Sequence, residues 1–323
     1  MLFKKLLPKS FVFWRSQGIY SQPLWRFTLI RYNGSDGKRD EDLTCALLDE
    51  YRHSPVNIVT KRAVFRNYEP MELSSFDKPN IPMVISNTGH TVKISLPESE
   101  LELTKGGLMH TYRVHHIHFH FGTNSKDGSE HYVDHDNFPV EMHIVAYNTQ
   151  YKDLDNAINQ KVGVSVLAFL FELSRDGNPA LTPIIEKLPE IKLPYTEVPL
   201  ELPSLLSILP ADLNHIYQYT DVNNFRYPLI TWTIFRDTVN ISEAQIEEFR
   251  KLHSDKKNPE GDYPMFLGGN YRLPEEFPRL VVFRNFRDLI PSPSKEGRRK
   301  NNAYARFIYN LLCGVKKKKE SRG

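Results

Sequence analysis

The sequence predicts a mainly β fold in one large domain, and three observations support this prediction. Two runs, residues 116–121 and 140–147, alternate polar and apolar side chains as half-buried strands do. The 323 residues are 40% hydrophobic with both charge signs mixed along the chain, so there is enough apolar material for one large core. No internal repeat is visible, and single all-β domains reach roughly 250 residues.

The first alternating run places histidines on one face of a strand. Successive side chains of a strand point to opposite faces, so His116, His118 and His120 share one face and the apolar side chains between them share the other. The surrounding segment is rich in the same residue type, because eight of the twelve histidines lie between residues 110 and 143. This concentration on one strand face predicts a metal site.

The second alternating run supplies the remaining groups of such a site. Glu141 and His143 share one face, and if the two runs pair antiparallel, His143 faces His118 and His120. Three protein ligands with the fourth position open are typical of a catalytic zinc, whereas a structural zinc usually has four ligands that often include Cys. The two cysteines are far apart in sequence and match no such motif. The alternative is that these histidines are ordinary polar strand residues.

Charge and hydropathy exclude two other classes of protein. No window of about 18 apolar residues exists, so the sequence predicts no transmembrane helix. The formal net charge of +3 is small and comes from the ends of the chain, so a nucleic-acid partner is not expected.

The histidine-rich region resembles the α-class carbonic anhydrases. Between residues 114 and 151 the segments HHIHFHFG, DGSEHYVD and VEMHIVAYNTQY follow one another in the order found in that family. Similar motifs continue outward over roughly residues 45–290. They are 53–58 (HSPVNI), 87–90 (NTGH), 164–169 (VSVLAF), 231–233 (TWT), 242–250 (SEAQ and FR) and 285–287 (NFR).

The resemblance implies a fold, a cofactor and a reaction. The expected fold is a large twisted, mostly antiparallel central sheet with short peripheral helices, occupying residues 26–290. The expected cofactor is Zn²⁺ held by His118, His120 and His143. The implied activity is that of a lyase, the reversible hydration of CO2 to bicarbonate and a proton.

The resemblance also implies supporting roles. Glu141 would accept the outer ring N–H of His143 and fix its tautomer. His116 stands where the family commonly has Gln, and a neutral His116 could still accept a hydrogen bond from His118. His90 falls at the position of the proton shuttle, with a surface-turn histidine as the alternative.

Four further positions complete the candidate substrate pocket, and Glu130 completes the catalytic pair with His90. The pocket residues implied by the resemblance are Val145, Val166, Val222 and Trp232.

One departure from the family affects the expected rate. Active members carry a loop reading SLTTPP before VTW, and its first Thr accepts a hydrogen bond from the zinc-bound hydroxide and donates one to the residue corresponding to Glu130. Counting back without gaps from Trp232 places Val222 at this gatekeeper position, and Thr220 is the nearest hydroxyl. Loss of one positioned hydrogen bond typically costs about 10²–10³ in rate. Weakened turnover with zinc retained is therefore expected.

Both ends of the chain extend beyond the resemblance. Residues 1–25 form a basic N-terminal extension with the composition of a mitochondrial transit segment, or alternatively of a disordered basic N-terminus. Residues 291–323 read as a linker followed by a basic tail whose segment 303–312 has helical apolar spacing. This basic tail either contacts a membrane surface or extends into solvent.

Cysteine use favours an intracellular location, either cytoplasmic or mitochondrial. Secreted relatives often join a Cys near the QSP motif to one in the Thr loop, and the second of these positions is Arg226 here.

The sequence therefore predicts a carbonic anhydrase of reduced turnover that acts on CO2 and bicarbonate, with no protein partner indicated. The alternative is a zinc-binding relative with little or no catalysis that acts as a binding module.

Overall fold

The computed structural model describes residues 54–97, 99–158, 160–221, 230–256, 265–274 and 280–287. Fifteen strands and three short α-helices lie within these residues. The strands are β1 (Asn57–Ile58), β2 (Val64–Phe65), β3 (Met71–Ser74), β4 (Met83–Asn87), β5 (Val92–Ser95), β6 (Glu102–Lys105), β7 (Tyr112–Phe121), β8 (Tyr132–Val133), β9 (Val140–Asn148), β10 (Val164–Leu173), β11 (Thr196–Leu200), β12 (Ile216–Asp221), β13 (Ile230–Phe235), β14 (Val239–Ile241) and β15 (Phe283–Arg284). The helices are α1 (Leu154–Ala157), α2 (Thr182–Lys187) and α3 (Glu243–Arg250).

Thirteen of the strands form one sheet, which confirms the predicted mainly β fold. Its main path runs β11-β4-β5-β7-β9-β10-β13-β12-β15-β2, and β14, β3 and β6 attach beside it. Most neighbours pair antiparallel, and β10 pairs parallel with β13 and β14. The long strands β7, β9 and β10 lie at the centre, where neighbours on both sides hold them rigid.

The two faces of the central strands pack against different buried clusters. Ile117 and Phe119 of β7 belong to the larger cluster, as the alternating pattern predicts. Val166 and Trp232 belong to the smaller cluster, on the face that carries the histidines. Strand β10 is buried over most of its length because both faces are covered.

Helix α3 supports the histidine strand from behind. Ser242 and Gln245 form a capping box, in which each side chain accepts a hydrogen bond from the other residue's backbone N–H. Phe249 of this helix packs against Phe119 and Phe121, with ring centroids 5.3 and 5.4 Å apart. The apolar side of β7 is thereby fixed, which directs its histidines toward the opposite face.

No helix within the described residues is both long and apolar enough to cross a lipid bilayer. The predicted N-terminal extension at residues 1–25 and the predicted tail at 291–323 lie outside the described residues, and both stay predictions.

Candidate metal centre

The three predicted metal ligands lie together on neighbouring central strands. Strands β7 and β9 pair antiparallel in a register that sets His118 opposite His143 and His120 opposite Glu141. One ring nitrogen from each histidine lies within 4.8 Å of the others, and all three side chains are largely buried. The convergence predicted from strand alternation is present in the fold.

Glu141 orients His143. The Nε2 atom of His143 lies 2.7 Å from Oε1 of Glu141, and Glu141 is fully buried. Burial alone would raise the pKa of Glu141, but His131 and His143 outweigh it and lower that pKa well below its usual value. The carboxylate therefore accepts the Nε2–H of His143, which leaves the Nδ1 lone pair directed toward His118.

His120 is oriented by a backbone group from a distant loop. Its Nδ1 lies 2.8 Å from the carbonyl oxygen of Asn270, an acceptor, so Nδ1 carries the proton. Its Nε2 is buried and has no hydrogen-bond partner among the described residues. A buried nitrogen with an unused lone pair is the group that a metal ion would satisfy.

His116 and His118 stack without forming the expected hydrogen bond. Their ring centroids are 5.3 Å apart with planes inclined by 27°. Nε2 of His116 and Nδ1 of His118 are both buried and lack a partner within the part of the chain that the structure describes. His116 instead places its Nδ1 2.8 Å from Nδ1 of His115. The hydrogen bond that His116 could accept from His118 is therefore not formed, since the two rings stack instead.

Burial keeps these imidazoles in the form that binds metal. It lowers the pKa of His116 and His118 well below the usual value, and neighbouring imidazoles lower it further. Burial also lowers the pKa of His143, although Glu141 opposes this effect. Since only the neutral imidazole offers a lone pair, these lowered pKa values favour the metal-binding form of His118 and His143.

The spacing between the ligand nitrogens of His118 and His143 fits a tetrahedral ion. Two ligand nitrogens at 2.0–2.1 Å from a tetrahedral Zn²⁺ are about 3.3 Å apart. Nδ1 of His143 and Nε2 of His118 are 3.2 Å apart. Three imidazoles with no thiolate also match the donor set of a catalytic zinc.

Glu130 lies beside the histidines and forms an ion pair with Arg272, a residue that sequence reasoning missed. Arg272 donates to it from its backbone N (3.1 Å), Nε (2.9 Å) and Nη2 (3.1 Å). Burial alone would raise the pKa of Glu130, but His120 and Arg272 lower it to about 2. Glu130 is therefore an ionised acceptor 3.6 Å from Nε2 of His120. Arg272 is 142 residues away in sequence and belongs to no motif, so no local signal could have found it.

A cavity of about 330 Å³ opens directly onto the three histidines. Val166 and Trp232 line it. Val145 pairs with Val166 across the sheet and is buried in the cluster behind it. The cavity thus has apolar side chains next to the three histidines.

His90 also lines this cavity, next to solvent. Its side chain is 55% exposed, and its Nδ1 lies 3.4 Å from Oδ1 of Asp255. Its backbone carbonyl accepts a hydrogen bond from the Asn270 side chain, which fixes the turn.

The predicted gatekeeper, Val222, lies outside the described residues. Thr220, the nearest hydroxyl in the sequence, pairs with Thr231 of the neighbouring strand within the sheet.

Comparison with known proteins identifies the family. The family model described as eukaryotic-type carbonic anhydrase matches residues 40–286. Carbonic anhydrase 6 of Mus musculus is 29% identical over 277 residues, which cover 81% of this chain and 83% of that protein. Carbonic anhydrase 7 of Homo sapiens is 30% identical over 243 residues, covering 73% and 89%. Carbonic anhydrase 4 of Oryctolagus cuniculus is 31% identical over 214 residues, covering 64% and 68%. With the fold and the histidine cluster, these matches establish that the chain belongs to the eukaryotic-type carbonic anhydrase family.

Proposed function

We propose that this protein is a zinc-dependent carbonic anhydrase that converts CO2 and water to bicarbonate and a proton, reversibly and with reduced turnover. The observation that carries the proposal is the convergence of three buried imidazoles on one side of a cavity. Family membership supports the same reaction class.

Zinc would be held by Nε2 of His118, Nε2 of His120 and Nδ1 of His143. An ion with three imidazole ligands leaves one position for water and acidifies it, a behaviour known from carbonic anhydrases themselves. Glu141 and the Asn270 carbonyl hold two of the rings in the required tautomers.

The remaining residues would bind the substrate and move the proton. Val166 and Trp232 offer CO2 an apolar wall next to the histidines. His90 would pass the proton released by hydration to solvent, and its exposed position at the cavity supports this role. Glu130, held as a carboxylate by Arg272, would offer an acceptor to any hydroxyl group that takes the place of the gatekeeper.

The reduced turnover rests on the sequence around Val222. With a valine at the gatekeeper position, Glu130 has no donor there to orient, although metal ligands and cavity remain. This is the feature that favours the second candidate, a zinc-binding relative with little or no catalysis that acts as a binding module. An intracellular location, cytoplasmic or mitochondrial, stays a prediction from residues 1–25 and Arg226.

A stopped-flow CO2 hydration assay on protein of measured zinc content tests the proposal. We expect a rate above that of buffer and below that of fast family members, abolished by a sulfonamide that binds zinc. A zinc-loaded protein with no rate above buffer would favour the binding module. A rate equal to that of fast members would show that another hydroxyl replaces the gatekeeper.

A further inference from the structure

A chain of buried hydrogen bonds leads from the metal site away from the cavity. Glu141, which orients His143, also lies 2.6 Å from Nδ1 of His131 through the same oxygen, Oε1. Its second oxygen accepts from the backbone N–H groups of Glu130 and His131, at 2.8 and 2.7 Å. Nε2 of His131 then lies 2.8 Å from the hydroxyl oxygen of Tyr219. His131 therefore connects the carboxylate behind the metal ligand to strand β12.

The chain continues from Tyr219 to a carboxylate at the end of β12. Tyr219 donates to Oγ of Ser54 at 3.0 Å, and Ser54 donates to Oδ2 of Asp221 at 3.0 Å. We call the connected residues the buried relay: His143, Glu141, His131, Tyr219, Ser54 and Asp221. Each of them is 7% exposed or less.

The relay joins parts of the chain that are far apart in sequence. Ser54 and Asp221 are 167 residues apart, and His131 and Tyr219 are 88 apart. Side-chain hydrogen bonds therefore couple segments that meet only after folding. A change at one end is therefore transmitted to the residues that follow.

Asp221 determines the direction of these hydrogen bonds. Its carboxylate oxygen accepts the Ser54 proton, so Ser54 can only accept from Tyr219. Burial raises the pKa of Tyr219 well above its usual value, so its hydroxyl keeps the proton it donates. The Tyr219 oxygen lies 2.8 Å from Nε2 of His131, and Oε1 of Glu141 lies 2.6 Å from its Nδ1, so the ring is held between two oxygens.

We propose that Asp221 is a positioning residue of the metal site, acting through Ser54, Tyr219, His131 and Glu141 to hold His143 in its ligand orientation. The inference rests on the metal site of the proposed function but not on catalysis. It also links the metal ligand to the strand end from which the segment containing Val222 continues. Asp221 belongs to no metal-binding motif, and only the fold brings it into this role.

Zinc affinity of the full chain, measured by competition with a chelator, tests this inference. The side chains introduced by Asp221→Leu and Asp221→Asn share the branched skeleton of Asp, and only Asn keeps a hydrogen bond to Ser54. We expect the Leu variant to bind zinc about 10-fold more weakly and the Asn variant to stay within about threefold of wild type. Cobalt(II) absorption, which reports ligand geometry, should change in the Leu variant and not in the Asn variant.

A double-mutant cycle separates the relay from a general effect on stability. Tyr219→Phe interrupts the relay in the middle, so the added Asp221→Leu change should cost little more zinc affinity. If Asp221→Leu does not yield folded protein, Ser54→Ala breaks the same connection with a smaller change and should weaken zinc binding similarly.

The possible failures are distinct. A wild-type chain that binds no zinc overturns the proposed metal site and this inference together. Zinc-binding wild type with unchanged affinity in Asp221→Leu or Ser54→Ala, or with additive effects in the double mutant, overturns the inference alone.

Discussion

Glu141→Gln is expected to abolish tight zinc binding while leaving the fold intact. Gln has one acceptor and one donor group where Glu has two acceptors. The backbone N–H groups of Glu130 and His131 both point at Oε2, so the amide oxygen of Gln must take that place. The amide NH2 then occupies the place of Oε1 and donates to His143.

This reversal changes the tautomer of His143. When Nε2 accepts a hydrogen bond from the amide, Nδ1 must carry the ring proton, which then points at the metal position. Zinc could bind only if the side-chain amide of the variant rotated by half a turn. The backbone N–H groups of Glu130 and His131 would then face the amide NH2, another donor, and lose their acceptor. Each unpaired group costs about 1–3 kcal/mol, so zinc affinity should fall by roughly 30-fold to 10⁴-fold.

Chelator competition at fixed pH measures this affinity, and thermal unfolding of the metal-free protein reports the fold. In the metal-free state Gln can pair with the groups that Glu141 contacts. The midpoint of thermal unfolding of the variant should therefore stay near that of wild type. Glu141→Ala would leave the two N–H groups unpaired in both states and is the less informative variant. Glu172→Gln, an exposed glutamate on the same sheet, is the matched control. Unchanged zinc affinity in Glu141→Gln would refute the role of Glu141 in fixing the tautomer.

Four further predictions concern the ligands, the stacked histidine, the gatekeeper and the tail. Purified protein should hold about one zinc per chain, and metal analysis of His120→Ala should show most of it lost; full occupancy would contradict the ligand set. His116→Gln should tighten zinc binding by about 2–10-fold, because Gln can accept the unpaired N–H of His118; weaker binding in the same chelator assay would argue against it. Val222→Thr should raise the CO2 hydration rate by about tenfold or more at matched zinc occupancy, and an unchanged rate would show that the ungapped alignment is wrong. Deleting residues 291–323 should leave zinc content and folding unchanged, whereas loss of soluble protein would show that the tail packs on the domain.

Strand alternation by itself determined the centre of the site. It placed His118 and His120 on one face, His143 and Glu141 on the facing strand, and apolar side chains behind them. These relations follow from the period-two geometry of a strand, which is local and visible in a single sequence. The family resemblance added the position of His90 and the expected sheet.

Only the tertiary structure decided which groups surround that centre. Arg272 and the Asn270 carbonyl approach from a loop that carries no periodic pattern, and the stacking of His116 on His118 depends on ring rotation that alternation does not specify. Asp221 joins the metal site through partners more than 80 residues apart in sequence. Contacts of this kind depend on chain segments meeting after folding, whereas a strand pattern records only which face each side chain occupies.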